Sequence, residues 1–124
     1  MNKIGVIQII DSLNVGGAEV LAVNIANGLS ELKIDSHLCT TRSEGFLKES
    51  IDKEVGYIFL GRKKAIDFTA IKKLNTYIKK HQIKIIHAHS SSSFIAVCVK
   101  LINPRIKIVW HDHYGNSSFL DKRS

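Results

Sequence analysis

Proline occurs once in 124 residues, and no low-complexity tract breaks the chain. That argues against disorder. Cysteine occurs twice, at Cys39 and Cys98, far apart and without CxxC spacing. Both are therefore expected as small buried hydrophobes of a reducing compartment. No apolar run is long enough to span a bilayer; the longest goes from Phe94 to Val99 and on to Ile102 past Lys100. Met1 leads straight into a strand pattern with no signal peptide ahead of it. The expected location is cytoplasmic, either soluble or peripheral at the inner membrane face. Neither GxGxxG nor GK[ST] is present, which excludes the dinucleotide fingerprint and the Walker loop. There is no internal repeat.

What is present suits one small α/β domain. Apolar residues make up 44%, enough for a buried core. The formal net charge is +7. Part of it sits on Lys72, Lys73, Lys79 and Lys80, whose seven-residue spacing puts them on one side of a helix. Ile71, Leu74 and Ile78 fall on the other side. This is read as a solvated helix face, compatible with weak attraction to an anionic leaflet, and no nucleic-acid partner is expected.

Strand and helix patterns alternate along the chain. Lys3 to Ile10 is a nearly continuous β-branched run, the pattern of a strand buried on both faces of a parallel sheet. Asp11 to Gly17 is rich in turn formers. Ala18, Leu21, Ala22, Ile25, Ala26 and Leu29 then mark one helical face. Strands are expected at Ile34–Thr41, Val55–Leu60, Ile83–Ala88 and Arg105–Trp110, with a short helix over Glu44–Asp52. Asp67 is placed to cap a helix running to about His81, with Ile66 and Ile71 at staple spacing. Ser90 to Ser93 can cap a further helix, Phe94–Ile102, stopped by Asn103-Pro104. Its nearly all-round apolar composition predicts full burial. The expected fold is a Rossmann-like parallel sheet with helices on both faces.

In an open parallel sheet, ligands bind at the carboxyl ends of the strands. Three polar clusters fall there: Asn14-Val15-Gly16-Gly17-Ala18-Glu19, His87-Ala88-His89-Ser90 and His111-Asp112-His113-Tyr114-Gly115. Gly16 and Gly17 let a ligand approach the backbone, and the helix that follows offers unpaired N–H groups to a diphosphate. Glu19, in the first turn, is placed either to cap those N–H groups or to touch ligand. Residues i and i+2 of a strand share a face, so His87 with His89, and His111 with His113, can each present two imidazoles to one cleft. Imidazole can donate to a sugar hydroxyl or take a proton near neutral pH. Asp112 is placed to orient one of these rings, and Asp11 to hold the glycine loop.

The stretches at Asn14–Glu19, Ile85–Ser90 and Ile108–Gly115, in that order and spacing, resemble the family 4 glycosyltransferases of the two-domain, twin-Rossmann type. The resemblance covers the whole chain and identifies it with the amino-terminal, acceptor-side domain. It implies retaining transfer from a nucleotide-sugar donor to a glycan or lipid-linked acceptor, with no cofactor and no obligatory metal. Gly16 and Gly17 would approach the donor diphosphate, and His87, His89 and Ser90 would line the acceptor side. A histidine after the fifth strand would sit near the reacting sugar. His111 and His113 both fit that place, and His113 is preferred because the loop follows it directly.

In that family a second Rossmann domain supplies the basic pair for the diphosphate and the nucleoside pocket. The sequence ends at Ser124 without one, so a truncated or interrupted chain is expected, nearly inactive by itself and served by a separate carboxy-terminal half. Two alternatives from other classes stay open. One is a metal-dependent hydrolase using the H-x-H pairs with Asp112; the other is a non-catalytic module that binds acceptor lipid or a partner chain.

Overall fold

A computed structural model describes residues 4–64 and 66–111. Five strands alternate with three helices: β1 (Gly5–Ile10), α1 (Gly17–Glu31), β2 (Asp35–Thr40), β3 (Gly56–Phe59), α2 (Phe68–Lys80), β4 (Ile83–His89), α3 (Ser93–Ile102) and β5 (Lys107–His111). Short 3₁₀ turns at Phe46–Ser50 and Ser90–Ser92 fill two of the connections. All strand pairs are parallel and the order is β3-β2-β1-β4-β5.

The chain first winds outward from β1 through β2 to β3, then crosses back to β4 and winds the other way. Crossovers of one hand then put the two sets of helices on opposite faces. Side-chain packing shows this. Ile10, Leu38 and Val55 pack with Ala22, Val23 and Ala26 of α1. Ile7, Ile9, Cys39, Ile86 and Ala88 pack with Leu74 and Ile78 of α2 and with Ile95, Ala96 and Val99 of α3. β1 is therefore covered on both sides, as its nearly continuous apolar run requires. The winding direction reverses between β1 and β4, the switch point where a crevice opens at the carboxyl ends of the strands.

The helix boundaries follow local chemistry. The Asp67 side chain caps α2: Oδ1 accepts the Ala70 N–H at 3.2 Å, and Oδ2 accepts the Lys63 N–H at 3.1 Å. The Lys63 and Ala70 N–H groups hold this carboxyl below its usual pKa. Asp67→Ala should lower the melting temperature at neutral pH. The ionised cap stabilises only while it is charged, and its folded pKa is the lower one. The difference between wild type and variant should therefore be full above the usual carboxylate pKa of about 3.9 and vanish as pH falls through the folded value. Melting curves on both proteins from pH 7 downward check this.

Lys72, Lys73, Lys79 and Lys80 are exposed on α2, opposite buried Ile71, Leu74 and Ile78. The solvated face is as expected, except that Lys73 Nζ also donates to the Phe59 carbonyl at 2.7 Å. Both cysteines are free thiols, and burial pushes Cys39 up.

α3 departs from expectation. Only Ile95, Ala96 and Val99 are buried, whereas Phe94, Val97, Leu101 and Ile102 are exposed. The helix forms the outer layer over β4 and β5, so only its inward stripe meets the sheet. Its outer side forms an apolar groove of about 380 Å³ with Phe68, Ile71 and Asn75 of α2. Among the described residues no helix is long and apolar enough to cross a membrane.

Candidate functional site

The glycine loop and the first histidine pair stand at the carboxyl ends of neighbouring strands. β1 and β4 are hydrogen-bonded in register, with Gln8 opposite His87 and Ile9 opposite Ala88. β4 pairs with β5 so that His89 lies opposite His111. Strand alternation then puts Gln8, His87, His89 and His111 on one face of the sheet. This is the same face that α1 covers farther along, at β1 and β2.

The three imidazoles form a cluster in which His111 stacks on both other rings and His87 is tilted by 32° to His89. The ring centroids of His87 and His89 are 4.3 Å apart, those of His87 and His111 5.7 Å, and those of His89 and His111 5.9 Å. The planes of His87 and His111 differ by 8°, and those of His89 and His111 by 24°. His87 and His111 are half-buried, whereas His89 is fully buried. His89 Nε2 is 2.7 Å from Gln8 Oε1. Its side chain also accepts the backbone N–H of Ser92, whose hydroxyl accepts the His89 N–H at 2.9 Å in a reciprocal capping box. Ser92 Oγ lies 2.7 Å from both the Ile9 and His89 carbonyl oxygens, with one proton to give. Ser92 thus ties the β4–α3 corner to the end of β1.

Ser90 adopts a left-handed backbone with φ 54°. The other two non-glycine residues in that region, Lys33 and Gln82, each follow the cap of a helix. Ser90 instead sits at the end of a strand, where such strain recurs at functional sites. Its carbonyl accepts the Trp110 indole N–H at 3.1 Å.

Gly16 is the N-cap of α1, with an extended backbone that any residue can adopt. A Cβ there would meet only the Glu19 carboxylate, which is folded over it; at Gly17 a Cβ would meet nothing within 4 Å. Neither backbone angle nor packing explains Gly17, and open space is left above the first turn. Asp11 does hold this corner: it takes the Thr41 hydroxyl, lies 3.3 Å from Arg62 Nη2, and its carbonyl accepts the Arg42 and Ser43 N–H groups. Arg62, Gly45 and Gln8 are absent from the sequence-based candidates, yet all three brace the site. Asp112, His113, Tyr114 and Gly115 lie outside the described residues.

One nitrogen from each of His87, His89 and His111 can be chosen so that all three lie within 4.8 Å of one another, a separation compatible with a metal ion. His89 already serves Gln8 and Ser92. Among the described residues the group holds no carboxylate.

A doubly wound parallel half-sheet with a glycine loop and imidazoles at its switch point is the Rossmann-like architecture of a glycosyltransferase domain. The chain belongs to Glycosyltransferase Family 4, whose model matches residues 15–123. Among solved structures it is similar to a glycosyltransferase from Rickettsia africae ESF-5, with a TM-score of 0.69 and 21% identity. The match covers 89% of this chain and 30% of that one, so this chain spans less than a third of that protein. At this identity the likeness establishes the fold. No curated protein matches the sequence.

Proposed function

We propose that this chain is the acceptor-side domain of a retaining glycosyltransferase that moves a sugar from a nucleotide-sugar donor to a glycan or lipid-linked acceptor at the cytoplasmic side of a membrane. The observation that supports the reading is that the glycine loop follows β1 while the histidine cluster lies on the neighbouring β4 and on β5, at the switch point of a family 4 chain. In this reading Gly16, Gly17 and the N-terminus of α1 face the donor diphosphate. His87 and Ser90 line the acceptor side, with His89 behind them. His111 or His113 stands by the reacting sugar, with Asp112 and Glu19 in support. A second Rossmann domain supplies the cations for the leaving diphosphate, the largest electrostatic contribution to such a transfer. No metal or cofactor is assigned a role.

The test pairs this chain with a donor-binding Rossmann domain and a panel of nucleotide sugars, with release of nucleoside diphosphate as the readout. The pair should turn over and the chain alone should not. A side chain at Gly17 meets open space, so Gly17→Val should fold normally and lose roughly tenfold or more in donor use, from crowding alone. Unchanged donor affinity and rate would make Gly17 a turn residue and remove the loop from donor contact.

A further inference from the structure

We infer that Gln8, buried in the middle of β1, is a positioning residue for the histidine cluster: it fixes the proton of His89 on Nε2 and thereby holds the ring that packs beside His87 and His111. The inference rests on the transferase reading for its consequence in turnover, but not for its geometry.

Gln8 and His89 are both fully buried, and Gln8 Oε1 lies 2.7 Å from His89 Nε2. A carbonyl oxygen at that distance requires a proton on Nε2. The other side of the ring gives the same answer, because the His89 side chain accepts the Ser92 backbone N–H, so with Nε2 at Gln8 the bare nitrogen is Nδ1. In the opposite tautomer Nδ1–H would face the Ser92 N–H. Turning the Gln8 amide over would supply a donor to a bare Nε2, but would not remove that second conflict. The two partners therefore select one neutral tautomer and one ring orientation.

Gln8 is also costly where it is. Its Nε2 is buried without a hydrogen-bond partner, a penalty that an apolar side chain of similar size would avoid. Its neighbours Ile7, Ile9 and Ile10 show that β1 is otherwise apolar. A buried amide at this one position does what leucine or methionine cannot, which is to offer an acceptor to His89. His89, with no exposure, does not reach a ligand; it packs beside the half-buried rings of His87 and His111, at 4.3 and 5.9 Å from its own. Gln8 thus acts on His87 and His111 through His89, as an orienting partner does behind a catalytic imidazole.

The experiment is a long-range ¹H–¹⁵N correlation spectrum of the histidine rings in the 124-residue chain at neutral pH. His89 should show a protonated Nε2 and a bare Nδ1 as a single species. A proton on Nδ1, or on both nitrogens, overturns the inference without any variant, so failure of a variant to fold does not shield it. Gln8→Met keeps the volume and removes the acceptor. It should give mixed His89 tautomers and shifted ring signals for His87 and His111, and an unchanged spectrum would overturn the role of Gln8. In the paired transfer assay Gln8→Met should lower kcat by roughly 10- to 100-fold with donor KM little changed. Normal kcat despite a lost tautomer would overturn the positioning role. The transferase reading fails separately, if the wild-type pair releases no nucleoside diphosphate from any donor while the wild-type ring spectrum is as expected.

Discussion

Gly45→Ala should destabilise the chain by about 2 kcal/mol or more, whereas Gly17→Ala should change stability by less than about 0.5 kcal/mol. A Cβ at Gly45 would lie 2.5 Å from both the Leu13 carbonyl carbon and the Asn14 nitrogen. These are backbone atoms, which cannot swing aside. The backbone of Gly45 is itself extended, at φ −169°, so close approach and not an unusual dihedral demands glycine here. The contact holds two loops together: Leu47 N–H donates to the Leu13 carbonyl at 3.0 Å, and Leu13, fully buried, anchors the start of the glycine loop in the core beneath α1. Forcing these segments apart moves Asn14 to Gly16 as a unit. Urea unfolding of both variants gives the comparison through the midpoint shift at constant slope. Equal stabilities would show that the Gly45 loop can retreat without strain and does not brace the crevice.

Much of the fold is legible in the sequence because periodicity reports burial directly. The five apolar runs separated by helical patterns become five parallel strands, and the Asp67 cap and the lysine face of α2 are where spacing puts them. The H-x-H alternation places His87 and His89 on one face, and the register of β4 with β5 brings His111 onto it. Other features depend on pairings that only the tertiary fold creates. Gln8 hides inside a β-branched run, and its meaning appears when β1 comes to lie beside β4, 81 residues along the chain from His89. Gly45 is one glycine among eight, and nothing local marks it as the one pressed against another loop. α3 fails in the opposite sense: its composition promises burial on all sides, but apolarity states what a surface prefers and not what covers it. Leu101, 77% exposed, shows the difference.

His111→Ala should reduce turnover in the paired transfer assay by about 10²- to 10³-fold, with fold and stability retained. Three features set it apart from its neighbours. It lies on β5, the outermost strand beside β4 in the described sheet, and is half-buried. Its ring lies nearly parallel to that of His87, at 8° and 5.7 Å, so the two imidazoles offer an ordered row along the crevice. Fully buried His89 backs that row, which limits the ways in which either ring can turn. A residue whose ring is held in this way loses little entropy on meeting a sugar hydroxyl, and such preorganisation makes a hydrogen bond count in the transition state more than in the ground state. His89→Ala is the necessary comparison: it should lower stability by opening a cavity behind the stack, whereas His111→Ala should leave the unfolding midpoint nearly unchanged. The expected pattern is a loss of kcat with little change in donor KM for His111→Ala. A variant that keeps wild-type kcat would transfer the role to His113, and the same assay on His113→Ala would then show the loss that His111→Ala did not.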